Sequence, residues 1–282
     1  MGRLTAGAVV SSAGSSFHYS FGILPRRQKR AIETVYAFCR VIDDLADDPP
    51  AGSGEAAASG LRLYREEIER CYGGAPTLPV TRALRAVIER FDIPRQPFED
   101  LIDGVEMDLR RARYASFADL RLYCYRVASA VGLICLSIFG CRHPRSRDYA
   151  IDLGIALQLT NILRDLKADA ARDRIYVPQD EIAACGYSEH ELLRGVRNEA
   201  FLALMGRQVE RARRHFESAA RTLPPSERGR LLAAEVMGAI YRRLLRRIEA
   251  DGFRVFERRV TVPRLTQIGV ALRTWVTGHA GE

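Results

Sequence analysis

The sequence predicts an all-α protein with a single domain. Apolar residues recur every three to four positions along nearly the whole chain, which is the spacing of one helix face. Sustained alternation of apolar and polar residues is missing, and no hairpin with an Asn-Gly or Asp-Gly turn is indicated. A length of 282 residues with 47% hydrophobic side chains and no low-complexity linker fits one large core. We expect about ten helices in one domain over residues 1–282, with residues 1–14 as a candidate disordered start.

Breaks in the apolar periodicity divide the first third of the chain into helices. The first helix carries a continuous apolar stripe and ends in segment 48–54, which contains two prolines and two glycines. A second helix ends at the Gly-Gly-Ala-Pro segment 73–76, and a third includes residues 84–91. Pro94 and Pro97 then mark the start of a fourth helix. The stripe of the first helix consists of Ile32, Val35, Cys39, Ile42 and Ala46.

Capping signals and prolines mark the later helices. Ser116 with Asp119 has the spacing of a capping box, in which the first and last residues of the first turn bind each other's backbone N–H groups. Segment 188–191 is likewise interpreted as the start of a short helix. Two short helices are therefore expected to begin at Ser116 and Ser188. Longer helices are predicted over roughly 145–171 and 198–222, with two more after Pro224-Pro225.

The longest uncharged stretch, residues 127–141, has 15 residues. This is shorter than the roughly 20 residues of a membrane-spanning helix, so we interpret it as a buried core helix. The first residues of the chain lack the sustained apolar segment of a secretory signal. The six cysteines form no C-x-x-C pair, which favours reduced thiols over a zinc site. These features predict a cytoplasmic protein.

The charge of the chain indicates an anionic partner. The sequence has 43 basic and 35 acidic residues and a net charge of +8, and all basic residues except Lys29 and Lys167 are arginines. Arginine binds phosphate through two parallel hydrogen bonds. Nucleic acid, an anionic membrane surface and a phosphorylated substrate therefore remain as partner classes. A coding preference for arginine would give the same composition without any function.

Two predicted helices each carry a pair of aspartates on one face. Residues at i, i+4, i+7 and i+11 of a helix share a face, and two of them four positions apart are about 6 Å apart along the axis. Apolar residues flank both faces and would hold these helices in the core. The first face contains Tyr36, Arg40, Asp43 and Asp47, and the second contains Gln158, Asn161, Asp165 and Asp169.

Acidic pairs on two buried helices favour a divalent metal site. Buried carboxylates need a cation nearby, and Mg²⁺ binds proteins through one or two carboxylates together with substrate phosphates. Two such faces across a cavity would hold a diphosphate through Mg²⁺, while Arg40 and Arg164 would bind the remaining phosphate oxygens. General acid–base catalysis by the carboxylates, or two solvated faces without function, would give the same spacing.

At these motifs the sequence resembles the squalene/phytoene synthase family, over residues 15–258. Residues 36–47 match the first aspartate motif of the family, and residues 158–169 match the second, which continues as segment 172–178. The resemblance implies an isoprenoid-synthase-type helical bundle around a central cavity. It also implies an enzyme that joins two allylic diphosphates head to head.

The same resemblance assigns further residues to the site. It implies that Ser16 and Phe17 belong to an N-terminal substrate segment, and that Tyr123 and Val127 lie on a helix that lines the cavity. The other substrate-binding residues that it implies are Arg40, Gln158, Asn161, Arg164, Arg174, Tyr176 and Arg258. The Mg²⁺ ligands that it implies are Asp43 and Asp47 for one diphosphate, and Asn161, Asp165 and Asp169 for the other. The candidate proton acceptors are Tyr36, Tyr241 and a departing diphosphate oxygen.

Within the family, segments 15–19, 104–109, 113–117 and 122–126 most resemble enzymes that make presqualene diphosphate for bacterial hopanoids. The resemblance therefore implies two farnesyl diphosphate molecules as substrates and Mg²⁺ as cofactor, without NADPH. Squalene, dehydrosqualene and phytoene are alternative products of the same kind of site.

Two interpretations from other functional classes stay open. A basic helical module that binds nucleic acid or a membrane would not need Asp43 or Asp165, and an inactive family member would serve only as a partner subunit. The intact aspartate motifs favour the enzyme, so we expect no nucleic-acid partner. Trp275 lies in a C-terminal amphipathic stretch, as a packing residue or as a peripheral contact with the inner face of the membrane. The sequence does not indicate an oligomeric state.

Overall fold

Helices account for almost all of the secondary structure in the part of the chain that the structure describes, which confirms the predicted all-α class. The computed structural model describes residues 21–22, 24–47, 54–110 and 112–279. No strand occurs among them, although residues Arg113 and Ile175 form an isolated bridge. The helices are α1 (Arg26–Asp47), α2 (Gly54–Gly73), α3 (Pro79–Phe91), α4 (Gln96–Arg110), α5 (Phe117–Cys124), a π-helical turn (Tyr125–Ser129), α6 (Ala130–Phe139), α7 (Pro144–Ala170), α8 (Gln179–Ala184), α9 (Glu189–Leu193), α10 (Glu199–Thr222), a 3₁₀ turn (Pro225–Glu227), α11 (Leu232–Ala250) and α12 (Arg264–His279).

The helix starts predicted from local signals are confirmed. Ser116 and Ser188 cap α5 and α9, and in both the capping box is complete, because the acidic residue three positions later accepts from the backbone N–H of the serine. These signals predict well because both partners lie within one turn. The two long predicted helices agree with α7 and α10 to within one residue at each end.

Helix α7 lies at the centre of the bundle. It packs against α10, α6, α11 and the π-helical turn, while α1 packs against α3, α4 and α6. The predicted apolar stripe of α1 is buried along its whole length. The two helices that carry the aspartate motifs are therefore both fixed by core packing, as expected for long helices with one apolar face.

Two glycines let neighbouring helices approach the π-helical turn closely. A Cβ atom at Gly154 of α7 would lie 2.6 Å from the backbone of Ser129, and one at Gly104 of α4 would lie 2.7 Å from a methyl group of Val127. The hydroxyl of Ser129 also donates to the carbonyl of Ile151, at 2.7 Å. The turn is thus clamped between α4 and α7. Such π-helical turns often occur at functional sites.

The uncharged stretch forms most of the π-helical turn and all of α6. The continuous helix from Phe117 to Phe139 is long and apolar enough to cross a membrane by length and composition alone. In the fold it packs against α1, α4 and α7, and Ala130, Ile134 and Ile138 are buried. This arrangement agrees with the predicted core helix.

Two buried glutamates hold loops onto the bundle. Glu67 of α2 accepts hydrogen bonds from the backbone N–H of Thr77 (2.8 Å) and Leu78 (3.0 Å), at the start of α3. Glu227 accepts from the backbone N–H of Arg142 and His143, ahead of the first turn of α7. Each carboxylate thereby satisfies donors that have no partner within a helix.

Candidate active site

Both aspartate motifs face one polar cavity of about 820 Å³. Asp43 of α1 lies on one wall, and Asp165 and Asp169 of α7 lie on another. The aspartates predicted to share a helix face therefore do point to one cavity, because the apolar stripe of each helix packs into the core and leaves the aspartate side uncovered. The cavity is also lined by six basic residues, which are Arg40, Arg164, Lys167, Arg172, Arg174 and Arg259.

A second, more apolar chamber of about 560 Å³ continues from the polar cavity. The residues that line both spaces are Arg40, Asp43, Val127, Gln158, Asn161, Arg164 and Arg259. From Val127 the wall of the chamber runs to Phe139 at the end of α6, a distance of roughly 18 Å along the helix at 1.5 Å per residue. The wall also contains Tyr149 of α7, which lies twelve residues before the shared Asn161. It contains Ile32 of α1 as well, which lies eleven residues before the shared Asp43. The site is thus a polar mouth joined to a deep apolar chamber.

Asn161 presents an acceptor that the described residues leave unsatisfied. Its side-chain oxygen is buried and has no hydrogen-bond partner among them, while its amide nitrogen donates to the side-chain oxygen of Gln158 at 3.3 Å. A buried acceptor without a partner is unfavourable unless a ligand satisfies it. Asn161 lies one turn before Asp165 on the cavity wall, so a cation there would satisfy this oxygen.

Asp165 is held by two arginines. The Arg164 side chain contacts both carboxylate oxygens of Asp165, with its Nε 2.9 Å from one of them, and the Nε of Arg259 donates to the same oxygen at 3.0 Å. Burial would raise the pKa of Asp165, but the hydrogen bonds and charge of the two arginines outweigh it and hold the pKa below its ordinary value. Asp165 is therefore ionised at neutral pH and available to a cation.

Asp169 has the opposite electrostatic environment. Burial, together with the negative charges of Asp165 and Asp108, raises its pKa to about 7, although Arg174 acts in the other direction. Two carboxylates that face one another without a cation repel each other, so a divalent ion between them would relieve this cost. Arg174 is fixed near this wall, because it donates to the carbonyl of Ala46 in α1 at 3.0 Å.

Asp108 of α4 adds a further carboxylate to the cavity. It accepts hydrogen bonds from the hydroxyls of Tyr123, at 2.9 Å, and Tyr176, at 2.8 Å. The two tyrosine rings stack with centroids 5.0 Å apart. Asp108 therefore orients two side chains that the sequence predicts to bind substrate. Its own role was missed, since it lies outside the periodic aspartate faces, although the resembling segment 104–109 contains it.

The donor set fits Mg²⁺. Among the described residues no group of three or more His, Cys, Asp and Glu side chains could hold a metal ion by itself. Mg²⁺ uses one or two protein carboxylates and takes its remaining oxygen ligands from substrate and water. The unsatisfied oxygen of Asn161 and the crowded carboxylates of Asp165 and Asp169 are the observations that support this fit.

Most of the predicted site residues lie on the two joined spaces. Both spaces are lined by Arg40, Asp43, Val127, Gln158, Asn161 and Arg164. The polar cavity alone is lined by Tyr123, Asp165, Asp169, Arg174 and Tyr176. The apolar chamber alone is lined by Tyr36 and Tyr241. Ser16 and Phe17 lie outside the described residues, and so does the side chain of Asp47, whose backbone ends α1.

Arg258 does not line either space. It is exposed and forms an ion pair with Asp251, whereas the adjacent Arg259 lies at the junction of the two spaces. Both arginines lie in the loop between α11 and α12. Neighbouring residues in such a loop have no periodic face, so sequence spacing could not decide which one points to the cavity. Lys167 and Arg172, which also line the cavity, were not predicted either.

Comparisons with known proteins agree with this architecture. Residues 10–266 match the family model described as squalene/phytoene synthase. The chain is 37% identical to phytoene synthase of Arthrospira platensis, over 90% of this chain and 86% of that protein. It is 36% identical to 15-cis-phytoene synthase of Synechococcus elongatus, over 94% of this chain and 90% of that protein.

Two solved structures also have this fold. The squalene synthase HpnC of Alicyclobacillus acidocaldarius matches with a TM-score of 0.79 and 30% identity, over 88% of this chain and 93% of that chain. A dehydrosqualene synthase solved with a ligand matches with a TM-score of 0.84 and 27% identity, over 96% of this chain and 94% of that chain. Fold, cavity and comparisons agree that this chain belongs to the squalene/phytoene synthase family, whose enzymes are prenyltransferases that join prenyl diphosphates head to head.

Proposed function

We propose that this protein condenses two farnesyl diphosphates to presqualene diphosphate, with release of one diphosphate and with Mg²⁺ as cofactor. The observation that supports this function best is the junction of the two spaces. The seven residues that line both spaces border a polar mouth rich in cations and carboxylates and an apolar chamber whose wall follows α6 for about 18 Å. A prenyl diphosphate likewise consists of a charged diphosphate group and a long apolar chain.

The diphosphate groups would bind at the polar mouth. Asp43 with Asp47 on one side, and Asn161, Asp165 and Asp169 on the other, would hold Mg²⁺, which stabilises charge on the departing diphosphate. Arg164 and Arg259 are already near these ligands and would donate to phosphate oxygens. Both arginines now contact Asp165, and they would be free to donate to phosphate oxygens where a cation took their place on this carboxylate.

The prenyl chains would lie in the apolar chamber. Its apolar walls would keep water away from an allylic cation, which water would otherwise capture. Coupling then requires that the second double bond attacks the cation and that one proton is lost as the cyclopropane ring closes. Tyr36 and Tyr241 both line the chamber, and burial raises the pKa of Tyr36, so this hydroxyl stays neutral. Because a neutral phenol is a weak base, the released diphosphate is the strongest base among the three candidate proton acceptors, which are Tyr36, Tyr241 and a diphosphate oxygen.

Phytoene formation from two geranylgeranyl diphosphates is the second candidate. It is favoured by the names of the relatives that are 36–37% identical to this chain. The two candidates differ in the length of chain that the apolar chamber must hold. Phe139 and Tyr149 lie in its wall at the greatest helical distance from the polar mouth, where bulk would limit a longer chain.

Product analysis of the purified protein tests the proposal. The protein is incubated with Mg²⁺ and either farnesyl or geranylgeranyl diphosphate, with and without NADPH. We expect presqualene diphosphate from farnesyl diphosphate, unchanged by NADPH. Phytoene as the main product, or conversion to squalene when NADPH is added, would contradict the assignment.

A matched pair of variants tests the site itself. Asp165→Asn removes a carboxylate of the cavity, and we expect at least a 100-fold loss of turnover because a metal ligand is lost. Asp148→Asn makes the same change on the exposed side of the same helix and should keep turnover within twofold. Equal activity of both variants would exclude the metal site proposed here and favour the basic binding module instead.

A further inference from the structure

Helix α12 presents an apolar face to solvent. Leu265 is 83% exposed, Leu272 60% and Trp275 48%, and Ile268 and Val276 are exposed as well. At 100° per residue these five side chains fall within an arc of about 100° on one side of the helix. Exposed apolar side chains are ordinary when scattered, but a continuous stripe of this kind marks an interaction surface.

The opposite side of α12 is the side that packs on the protein. Gln267 is buried, and its amide donates to the carbonyl of Val262 at 2.8 Å, while α12 packs against α11. A surface helix normally turns its apolar stripe inward. Here the order is reversed, because the five apolar side chains are between 38% and 83% exposed while Gln267 is buried.

Positive charge borders this stripe. Arg264 precedes it and Arg273 lies on its far edge, and the sequence of α12 contains no acidic residue. From Arg254 to His279 the chain has five arginines and one glutamate. An apolar stripe between cationic borders is the pattern of a helix that lies in the surface of an anionic bilayer.

A second copy of the chain fits this face less well. A symmetric dimer through α12 would bring the arginines of both copies together, and the chain carries a net charge of +8. An anionic lipid surface offers the complementary charge instead. We therefore propose that the exposed face of α12, formed by Leu265, Ile268, Leu272, Trp275 and Val276, docks the protein on anionic membranes.

This docking surface lies close in sequence to the candidate active site. Arg264 follows Arg259 by five residues, which span at most about 18 Å, and Arg259 lies where the polar mouth joins the apolar chamber. Binding through α12 would therefore hold the site near the lipid surface. Only this consequence, delivery of a product with long prenyl chains to the bilayer, rests on the proposed function.

The single tryptophan of the chain makes the docking measurable. Trp275 is the only tryptophan, so its emission reports on this face alone. The full chain is mixed with vesicles of phosphatidylcholine, or of phosphatidylcholine and phosphatidylglycerol in equal parts. We expect a blue shift and co-sedimentation with the anionic vesicles, and at least tenfold weaker binding to the neutral ones.

Two variants separate the docking face from exposed apolar residues in general. The double variant Leu265→Ser/Leu272→Ser should bind anionic vesicles at least tenfold less than the original chain, since it removes apolar area that lipid would cover. Leu63→Ser changes a leucine of α2 that is 42% exposed and should not alter binding. Turnover of farnesyl diphosphate without vesicles should be the same in all three proteins.

Several results would overturn the proposal. They are equal binding to neutral and anionic vesicles, unchanged binding of the double serine variant, or a concentration-dependent dimer that shifts the emission without lipid. Buried-type emission in a lipid-free monomer would mean that another segment of the chain already covers α12. Vesicle binding of the inactive Asp165→Asn variant should equal that of the original chain, so docking can fail or succeed independently of the proposed reaction.

Discussion

Replacement of Asp169 by asparagine should stabilise the metal-free protein while it abolishes activity. The pKa of Asp169 is raised to about 7 from an ordinary 3.8, mainly by burial and then by the charges of Asp165 and Asp108. Between pH 4 and 7 the native state therefore keeps a proton that the unfolded chain has lost. Stability falls as pH rises through this range, because the unfolded state then binds fewer protons than the native state.

The size of this effect follows from the same pKa. Each unit of pKa is worth about 1.4 kcal/mol, so ionising Asp169 in the native state costs at most about 4 kcal/mol. Its carboxyl lies on a cavity wall where water screens part of the charge, so we expect about 2–3 kcal/mol at pH 8. Asp169→Asn has no charge to bury and avoids this cost at every pH.

Thermal unfolding in EDTA at pH 5 and pH 8 measures the difference. We expect Asp169→Asn to raise the Tm by several degrees at pH 8 and by much less at pH 5. Asp148→Asn, on the exposed side of the same helix, serves as the control and should leave the Tm unchanged at both values. If Asp169→Asn and the original chain unfold with the same pH dependence, the carboxylate of Asp169 is not destabilising and the reasoning is refuted.

Three further changes test other parts of the structure. Gly154→Ala should lower the free energy of unfolding by about 1–3 kcal/mol in chemical denaturation, because its Cβ would overlap the π-helical turn. The control Gly206→Ala in α10 has open space around its Cβ and should be neutral or stabilising. Glu67→Gln should lower the free energy of unfolding by about 1–3 kcal/mol at pH 7. The pKa of Glu67 is about 2, because its hydrogen bonds outweigh the effect of burial. The stabilisation by Glu67 is therefore present above about pH 4.5 and is lost toward pH 2, so the variant should lose less stability on acidification. Arg259→Gln should lower kcat/KM for farnesyl diphosphate about tenfold or more, while Arg258→Gln should change it less than twofold; equal effects of the two would place the diphosphate elsewhere.

The parts of the fold that depend on neighbouring residues were predicted well. Capping at Ser116 and Ser188 joins atoms within one helical turn, so the sequence contains both partners. The acidic faces follow from helical periodicity in the same way, and Asp43 and Asp165 indeed meet at one cavity. Their roles as Mg²⁺ ligands, the presqualene product and the cytoplasmic location stay predictions.

Other parts of the site depend on contacts between distant segments. The carboxylate of Asp108 reaches Tyr123 and Tyr176 only because α4 and the loop before α8 converge there. The choice between Arg258 and Arg259 likewise depends on how the loop after α11 folds over α7. No local spacing contains this information.

The sequence by itself determined the all-α class, the helix starts and the two faces that carry the aspartate motifs, because these are properties of single helices. It also indicated an amphipathic stretch around Trp275 near the C-terminal end. Only the tertiary structure decided which side of α12 faces the protein, which arginine of the loop after α11 meets Asp165, and that a polar mouth opens into an apolar chamber. Each of these depends on how helices pack against one another, since packing alone fixes which faces are covered and which are left to bind.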